Sequence, residues 1–208
     1  MAMFWDRAAL VYDYFERAYN GKVYRATGKA VAEEIAPDDH VLECACGTGA
    51  ISVCVAPLCA KLIATDFSNG MLKQTAKKVK RFTNVEVVRA DITKLDFADN
   101  SFDKVIAGNV IHLLDNPQAV VKELVRVCKP NGKVVVPTYI NKKNSKSAKM
   151  AALLGKAGAG FKRQFDMESY QRFFSEVGYR NVAYRLVEGI MPCAIAVISV
   201  DNQSIQTI

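Results

Sequence analysis

A doubly wound α/β domain, with a seven-stranded sheet that is mostly parallel, an antiparallel C-terminal strand and helices on both faces, is what this sequence predicts. Three features carry that expectation. Strand-like apolar runs alternate with amphipathic helical ones along most of the chain. The strand-like runs are apolar enough to be buried on both faces, as parallel strands are. The last two, "RNVAYRLV" and "CAIAVISV", are joined only by about "EGIMP". A parallel crossover needs roughly a dozen residues or more, so these two can only be neighbours as an antiparallel hairpin.

The elements follow in order. Two amphipathic helices come first, over about 5–19 and 22–35, ended by "APDD". Then come "HVLECA", the helical "AISVCVAPLCA", "KLIAT", the helical "NGMLKQTAKKVKRF", "VEVVRA", "FDKVIAGNV", the helical "NPQAVVKELVRVC" and "KVVVPTYI". A helix near 167–176, closed by Gly178, precedes the final hairpin. With neither internal repeat nor low-complexity linker, the 208 residues read as a single domain, 1–208, with N-terminal cap helices at 1–36 and a basic insertion at 141–165.

Charge is unevenly placed. The net charge of +7 comes from the insertion, which holds seven basic residues (Lys142, Lys143, Lys146, Lys149, Lys156, Lys162, Arg163) and no acid; the rest has 21 of each sign. Such a stretch is either a solvated face or a cap for an anionic substrate or an anionic membrane surface. Six cysteines lie mostly inside apolar runs, without a CxxC pair or a zinc-site spacing, and read as buried reduced thiols with no metal site. Without a membrane-length apolar run or a signal-peptide profile, the expected location is cytoplasmic.

The turn in "VLECACGTGAIS" carries the chemistry. Gly47 and Gly49 let backbone approach a ligand at the first strand-to-helix turn. A GxGxxG fingerprint would need glycine where Ser52 stands, and a P-loop would need a lysine that "GTGAIS" lacks. Glu43, just before the turn, would repel a pyrophosphate and suits a ligand bearing an ammonium group. Asp66 ends the next strand 19 residues beyond Gly47, the distance at which an acid reaches a ribose diol. Asp91 ends the third strand, placed to accept from a purine exocyclic amine or else to cap the following turn. Phe67, Met71 and Ile92 flank these acids as walls for an adenine, or as core.

On "LECACGTG", "ATDFSNGML" and "ADITKLDFADNSFDKVIAGNVIHLLDNP", with "VCKPNGKVVV" after them, the sequence resembles the class I S-adenosylmethionine-dependent methyltransferases over about 5–139. It is most similar to the branch of ubiquinone and menaquinone biosynthesis and small-molecule methyltransferases. That resemblance implies a Rossmann-like sheet, S-adenosyl-L-methionine as cofactor and S-adenosyl-L-homocysteine as product. It also implies a cap formed by "FWDRAALVYDYFERAYN", which brings in Tyr12, and a role for Asn109 through its carbonyl or at the methionine end. The family often has glycine where this chain has Ala45, giving ExAxGxG and a slight crowding of the ligand.

His112, directly after the fourth strand, reads as a general base, a substrate-orienting group or a structural histidine. The expected function is methyl transfer to a small-molecule acceptor by in-line displacement. Alternatives are a nucleic-acid or protein methyltransferase, a nucleotide-dependent oxidoreductase and a catalytically idle cofactor-binding protein. Charge confined to one segment and "GNVIHLL" in place of an Asn/Asp-Pro-Pro-Tyr motif argue against a stable nucleic-acid partner.

Overall fold

The computed structural model describes residues 5, 6, 9, 12–141 and 162–201, with backbone alone over 12–19. Among these residues seven strands form one sheet: β1 (His40–Cys44), β2 (Lys61–Asp66), β3 (Val85–Arg89), β4 (Phe102–Ala107), β5 (Cys128–Tyr139), β6 (Val182–Val187) and β7 (Cys193–Ser199). Their spatial order is β3-β2-β1-β4-β5-β7-β6. Neighbours from β3 through β5 pair in parallel, while β7 runs antiparallel to both β5 and β6. The short 188–192 connection forces that reversal, as expected from loop length.

Helices α1 (Tyr12–Ala32), α2 (Ser52–Val55), α3 (Asn69–Val79), α4 (Pro117–Val127) and α5 (Met167–Val177) cover the two faces. Strand alternation sorts the core. Leu42 and Cys44 of β1 join Val134 and Val136 of β5 on the face packed by α4 and α5; Val41 and Val135 join Val23, Val31 and Val55 on the other. Burial on both sides explains why these strands read as continuous apolar runs. Helix starts are capped by side chains: Ser68 accepts from Met71 N at 3.2 Å, Asn116 accepts from Ala119 N at 3.1 Å, and Asp166 with Ser169 forms a capping box.

One expectation holds and two need correction. Two N-terminal helical stretches meet, as expected, at a break at Asn20, whose φ/ψ of −133°/26° is non-helical. The buried Asn20 amide donates to Met191 O at 2.8 Å and accepts from Met191 N at 3.4 Å, so the β6–β7 turn fixes the break. The helix over "AISVCVAPLCA" is only α2 followed by a 3-10 turn, Ala56–Leu58, because Pro57 has no N–H to continue an α-helix. Strand β5 starts five residues early, since Cys128 already pairs with Phe102 before the register shifts.

The basic insertion lies outside the described residues over 142–161. Its two ends are held together: Asn141 N donates to Phe165 O at 2.7 Å, and the Asn141 amide donates to Gln164 at 2.8 Å. Lys162 N and Arg163 N both donate to His112 O, at 3.0 and 3.1 Å. The insertion therefore leaves and returns beside the 111–113 turn that follows β4.

Candidate active site

The sheet order reverses between β1 and β4, and the crevice outside their carboxyl ends is where an open α/β sheet binds ligands. The turn after β1 is shaped for close approach: Ala45, Gly47 and Gly49 have φ of 53°, 56° and 81°. Gly47 N donates to Asp66 Oδ2 at 2.9 Å and the Thr75 hydroxyl donates to Gly47 O at 2.8 Å, tying the turn to β2 and α3. A Cβ on Gly49 would lie 3.0–3.2 Å from three atoms of Thr75, so this glycine serves packing as well as conformation.

Three adjoining cavities, all bordered by Ala45, form one groove along the crevice. At one end, about 60 Å³ is enclosed by Glu43, Gly47, Tyr24, Thr27, Asn109 and Tyr139, among others. The middle, about 80 Å³, is bounded by Asp66, Phe67, Met71, Asn109 and Trp5. The far end, about 380 Å³, is bounded by Asp91, Ile92, Phe67, Trp5, Leu113 and Val120 among others.

Electrostatics differ along the groove. Glu43 is 1% exposed and accepts from the Ser52 hydroxyl at 2.6 Å. Burial outweighs that bond and, with the nearby charge of Asp66, pushes its pKa up to about 8. Asp66 is also raised, mainly by burial, against hydrogen bonds from Ser68 N and Gly47 N, both 2.9 Å long. Asp91 is exposed; its Oδ1 receives Thr93 N and the Thr93 hydroxyl at 2.8 and 2.7 Å, so it caps the turn and borders the cavity at once. Beside Glu43, the buried Thr27 hydroxyl has no hydrogen-bond partner among the described residues.

Glu43, Ala45, Gly47, Asp66, Phe67, Met71, Asp91, Ile92 and Asn109 thus come together around one groove. Gly49 shapes the turn without bordering the cavities, and the Tyr12 side chain lies outside the described residues. Asn109, at φ 54°, spends its side chain accepting from Tyr139 N at 3.1 Å and its N–H on Pro137 O at 2.8 Å. His112 borders none of the three cavities; it is 6% exposed, and burial pushes its pKa down to about 4, a neutral imidazole at pH 7. Trp5, Tyr24, Thr27 and Tyr139 were not singled out from sequence, where only an aromatic and apolar stripe on the N-terminal helices hinted at the first two.

Ala45 in the left-handed region explains why glycine suits this position. Left-handed backbone costs an alanine about 1 kcal/mol that glycine avoids. Ala45→Gly is therefore expected to raise the melting temperature by roughly 2–4 °C, read by thermal denaturation.

A family model described as "Methyltransferase domain" matches residues 42–136, which spans β1 through most of β5. The chain is 30% identical over 171 residues to a demethylmenaquinone methyltransferase of Staphylococcus aureus, covering 71% of this chain and 70% of that one. It is 37% identical over 118 residues to a demethylmenaquinone methyltransferase of Clavibacter sepedonicus, where the match covers 56% of this chain but spans only 47% of that protein's length. In three dimensions it is similar to a SAM-dependent methyltransferase from Thermotoga maritima, with a TM-score of 0.74, 17% identity and coverage of 97% and 100%. That last likeness speaks to the fold, while the sequence matches speak to kinship. With its strand order, its turn after β1 and these relatives agreeing, the chain belongs to the class I S-adenosylmethionine-dependent methyltransferases, in the branch that includes the demethylmenaquinone methyltransferases.

Proposed function

We propose that this chain transfers the methyl group of S-adenosylmethionine to a small-molecule acceptor of quinone type, by in-line displacement, with S-adenosylhomocysteine as product. The observation that carries the reading is the graded groove at the β1/β4 crevice: an ionisable buried carboxylate and an unpartnered hydroxyl at one end, a second acid in the middle, an apolar cavity with a third acid at the other. Those groups fit the cofactor. Glu43 and Thr27 would hold its amino-acid end, Asp66 its ribose, and Asp91, Ile92 and Phe67 its adenine. An ammonium group favours the ionised form of Glu43, which a pyrophosphate in the same place would not.

When bound, the cofactor supplies an electrophilic methyl group, so the hard chemistry is its own. What the chain contributes is alignment and exclusion of water. Gly47 and Gly108 let backbone close on the groove, while Asn109, held to Tyr139 N, fixes the loop after β4. Tyr24 and Tyr139 border the end where an acceptor would approach. His112, neutral and behind the groove, is assigned no proton transfer in this reading. The quinone-type acceptor rests on the names of the relatives, and an anionic acceptor or membrane surface is favoured by the basic insertion, whose ends meet beside Leu113.

Calorimetric titration with S-adenosylhomocysteine, S-adenosylmethionine and NAD tests the cofactor, followed by methyl transfer to a panel of reduced demethylated quinones. Micromolar binding of the two sulfur compounds with turnover on the panel is expected; binding of NAD alone would overturn the reading. Thr27→Val is expected to weaken S-adenosylhomocysteine about tenfold, the worth of a hydrogen bond to a charged group. Methylthioadenosine, which lacks the amino-acid end, should bind that variant unchanged.

A further inference from the structure

The sheet ends on an open edge. β6 is its last strand, and among the described residues no strand pairs with its outer side. The ladder to β7 fixes which backbone groups that side offers. Ser199 N donates to Asn181 O at 3.3 Å, so Asn181, Ala183, Arg185 and Val187 aim their N–H and C=O groups at β7. Val182, Tyr184 and Leu186 aim theirs outward. Neither a proline nor a register shift interrupts β6, and these are devices that commonly blunt a free edge. The charged side chain within the strand, Arg185, is ion-paired with Glu33 and Glu34 just beyond α1. Leu186 is 40% exposed, one of three large apolar side chains left so open among the described residues.

The sequence around β6 is complementary to itself. Side chains alternate along a strand, so Arg180, Val182, Tyr184, Leu186 and Glu188 lie along one face, with the two charged residues exposed just outside its ends. Consider a second copy laid antiparallel on this edge and centred on Tyr184. The outward backbone groups of Val182 in one copy meet those of Leu186 in the other, and Tyr184 meets Tyr184, which closes a hydrogen-bonded ladder. Apolar side chains then face apolar ones across the junction. Arg180 of each copy faces Glu188 of the other, twice by symmetry. A register shifted two residues either way would keep the ladder but part these charges, so charge selects the centred register.

We infer that β6 is a self-association edge, through which two copies of this chain join their sheets as antiparallel β6 strands about a two-fold axis at Tyr184, with Arg180 of each copy paired to Glu188 of the other. The contact is a single short strand from each side, so association is reversible and depends on concentration. β5 and β7 stand between this edge and the β1/β4 crevice, so the inference is independent of the cofactor reading.

Sedimentation velocity on the full chain tests this with wild type, Arg180→Glu, Glu188→Arg and an equimolar mixture of the two variants. Wild type is expected to pass from monomer towards dimer as its concentration rises from about 1 μM to about 1 mM. Each variant alone sets like charges across the junction at both ends, and its self-association is expected to weaken by about tenfold or more. In the mixture both cross-strand pairs are again opposite in charge. The two variants should therefore form a heterodimer as strong as the wild-type dimer, a rescue that a folding defect in either would not give. Wild type that stays monomeric over the whole range overturns the inference. So does a single variant that dimerises as tightly as wild type, or a mixture no more associated than its components.

Discussion

Glu43→Gln is expected to weaken S-adenosylhomocysteine by roughly ten- to a hundredfold and to make the free protein more stable at the same time. The two effects have one cause. Glu43 is walled in by α1 and α2, with the Ser52 hydroxyl as its hydrogen-bond donor and the Asp66 carboxylate as its charged neighbour. Burial raises its pKa from 4.5 to about 8. Between those values the folded chain holds a proton that the unfolded chain has released, so unfolding free energy falls as pH rises through that window and levels off above it. At pH 7 the penalty is on the order of 3 kcal/mol, which glutamine, neutral and of the same shape, does not incur. The variant should melt roughly 6–12 °C higher at pH 7 and show a flatter stability profile from pH 5 to 8.

Binding reverses the preference. An ammonium group docked against Glu43 favours the carboxylate, so the complex forms with loss of the proton and affinity climbs with pH by up to about tenfold per unit between 6 and 8. Calorimetry in two buffers of different ionisation enthalpy counts that proton, and thermal melts across pH 5–9 read the stability. A glutamine variant that binds as tightly as wild type and melts at the same temperature would sink the assignment of Glu43 to the amino-acid end.

The division between what the sequence disclosed and what it concealed follows the range of the interactions. The sheet was legible because its central strands are buried on both faces, and the reversal of β7 followed from a connection too short to cross over. The acids at successive strand ends were legible for the same reason: Glu43, Asp66 and Asp91 are each placed by a strand terminus. Hidden were the features set by contacts far apart in the chain. The break between the two N-terminal helices was expected at about 20–21, but not its anchor, the hydrogen bond from Asn20 to Met191, 171 residues away. The apolar pattern of α1 does not say that Thr27 faces Glu43, since a stripe of period 3.6 marks a buried face without naming its occupant. Ala45 shows the converse case. The departure from glycine was visible, but only its φ of 53° tells that the cost lies in the backbone as well as in any crowding.

Asp66 ends β2, as its place in the sequence led one to expect, and its carboxylate has a structural task that the sequence did not disclose. Both of its oxygens are engaged, Oδ2 by Gly47 N and Oδ1 by Ser68 N, so it joins the turn after β1 to the turn after β2. Replacing it with asparagine keeps the volume but sets an amide NH₂ against one of two backbone N–H donors, and an amide can accept through one oxygen only. Alanine leaves both donors without their partner. Either way the glycine turn loses its anchor and, on the proposed reading, the ribose its acid, and the affinity for S-adenosylhomocysteine is expected to drop by at least about a hundredfold, the loss of two hydrogen bonds to a charged group. Stability should move less, within about 2 kcal/mol, because removing a desolvated carboxylate offsets part of the loss. The discriminating ligand is again methylthioadenosine, which keeps the ribose. Thr27→Val and Glu43→Gln should spare it, whereas both Asp66 variants should lose it along with S-adenosylhomocysteine. If Asp66→Asn binds either compound within threefold of wild type, the carboxylate neither anchors the turn nor meets the ribose, and the middle of the groove has another owner.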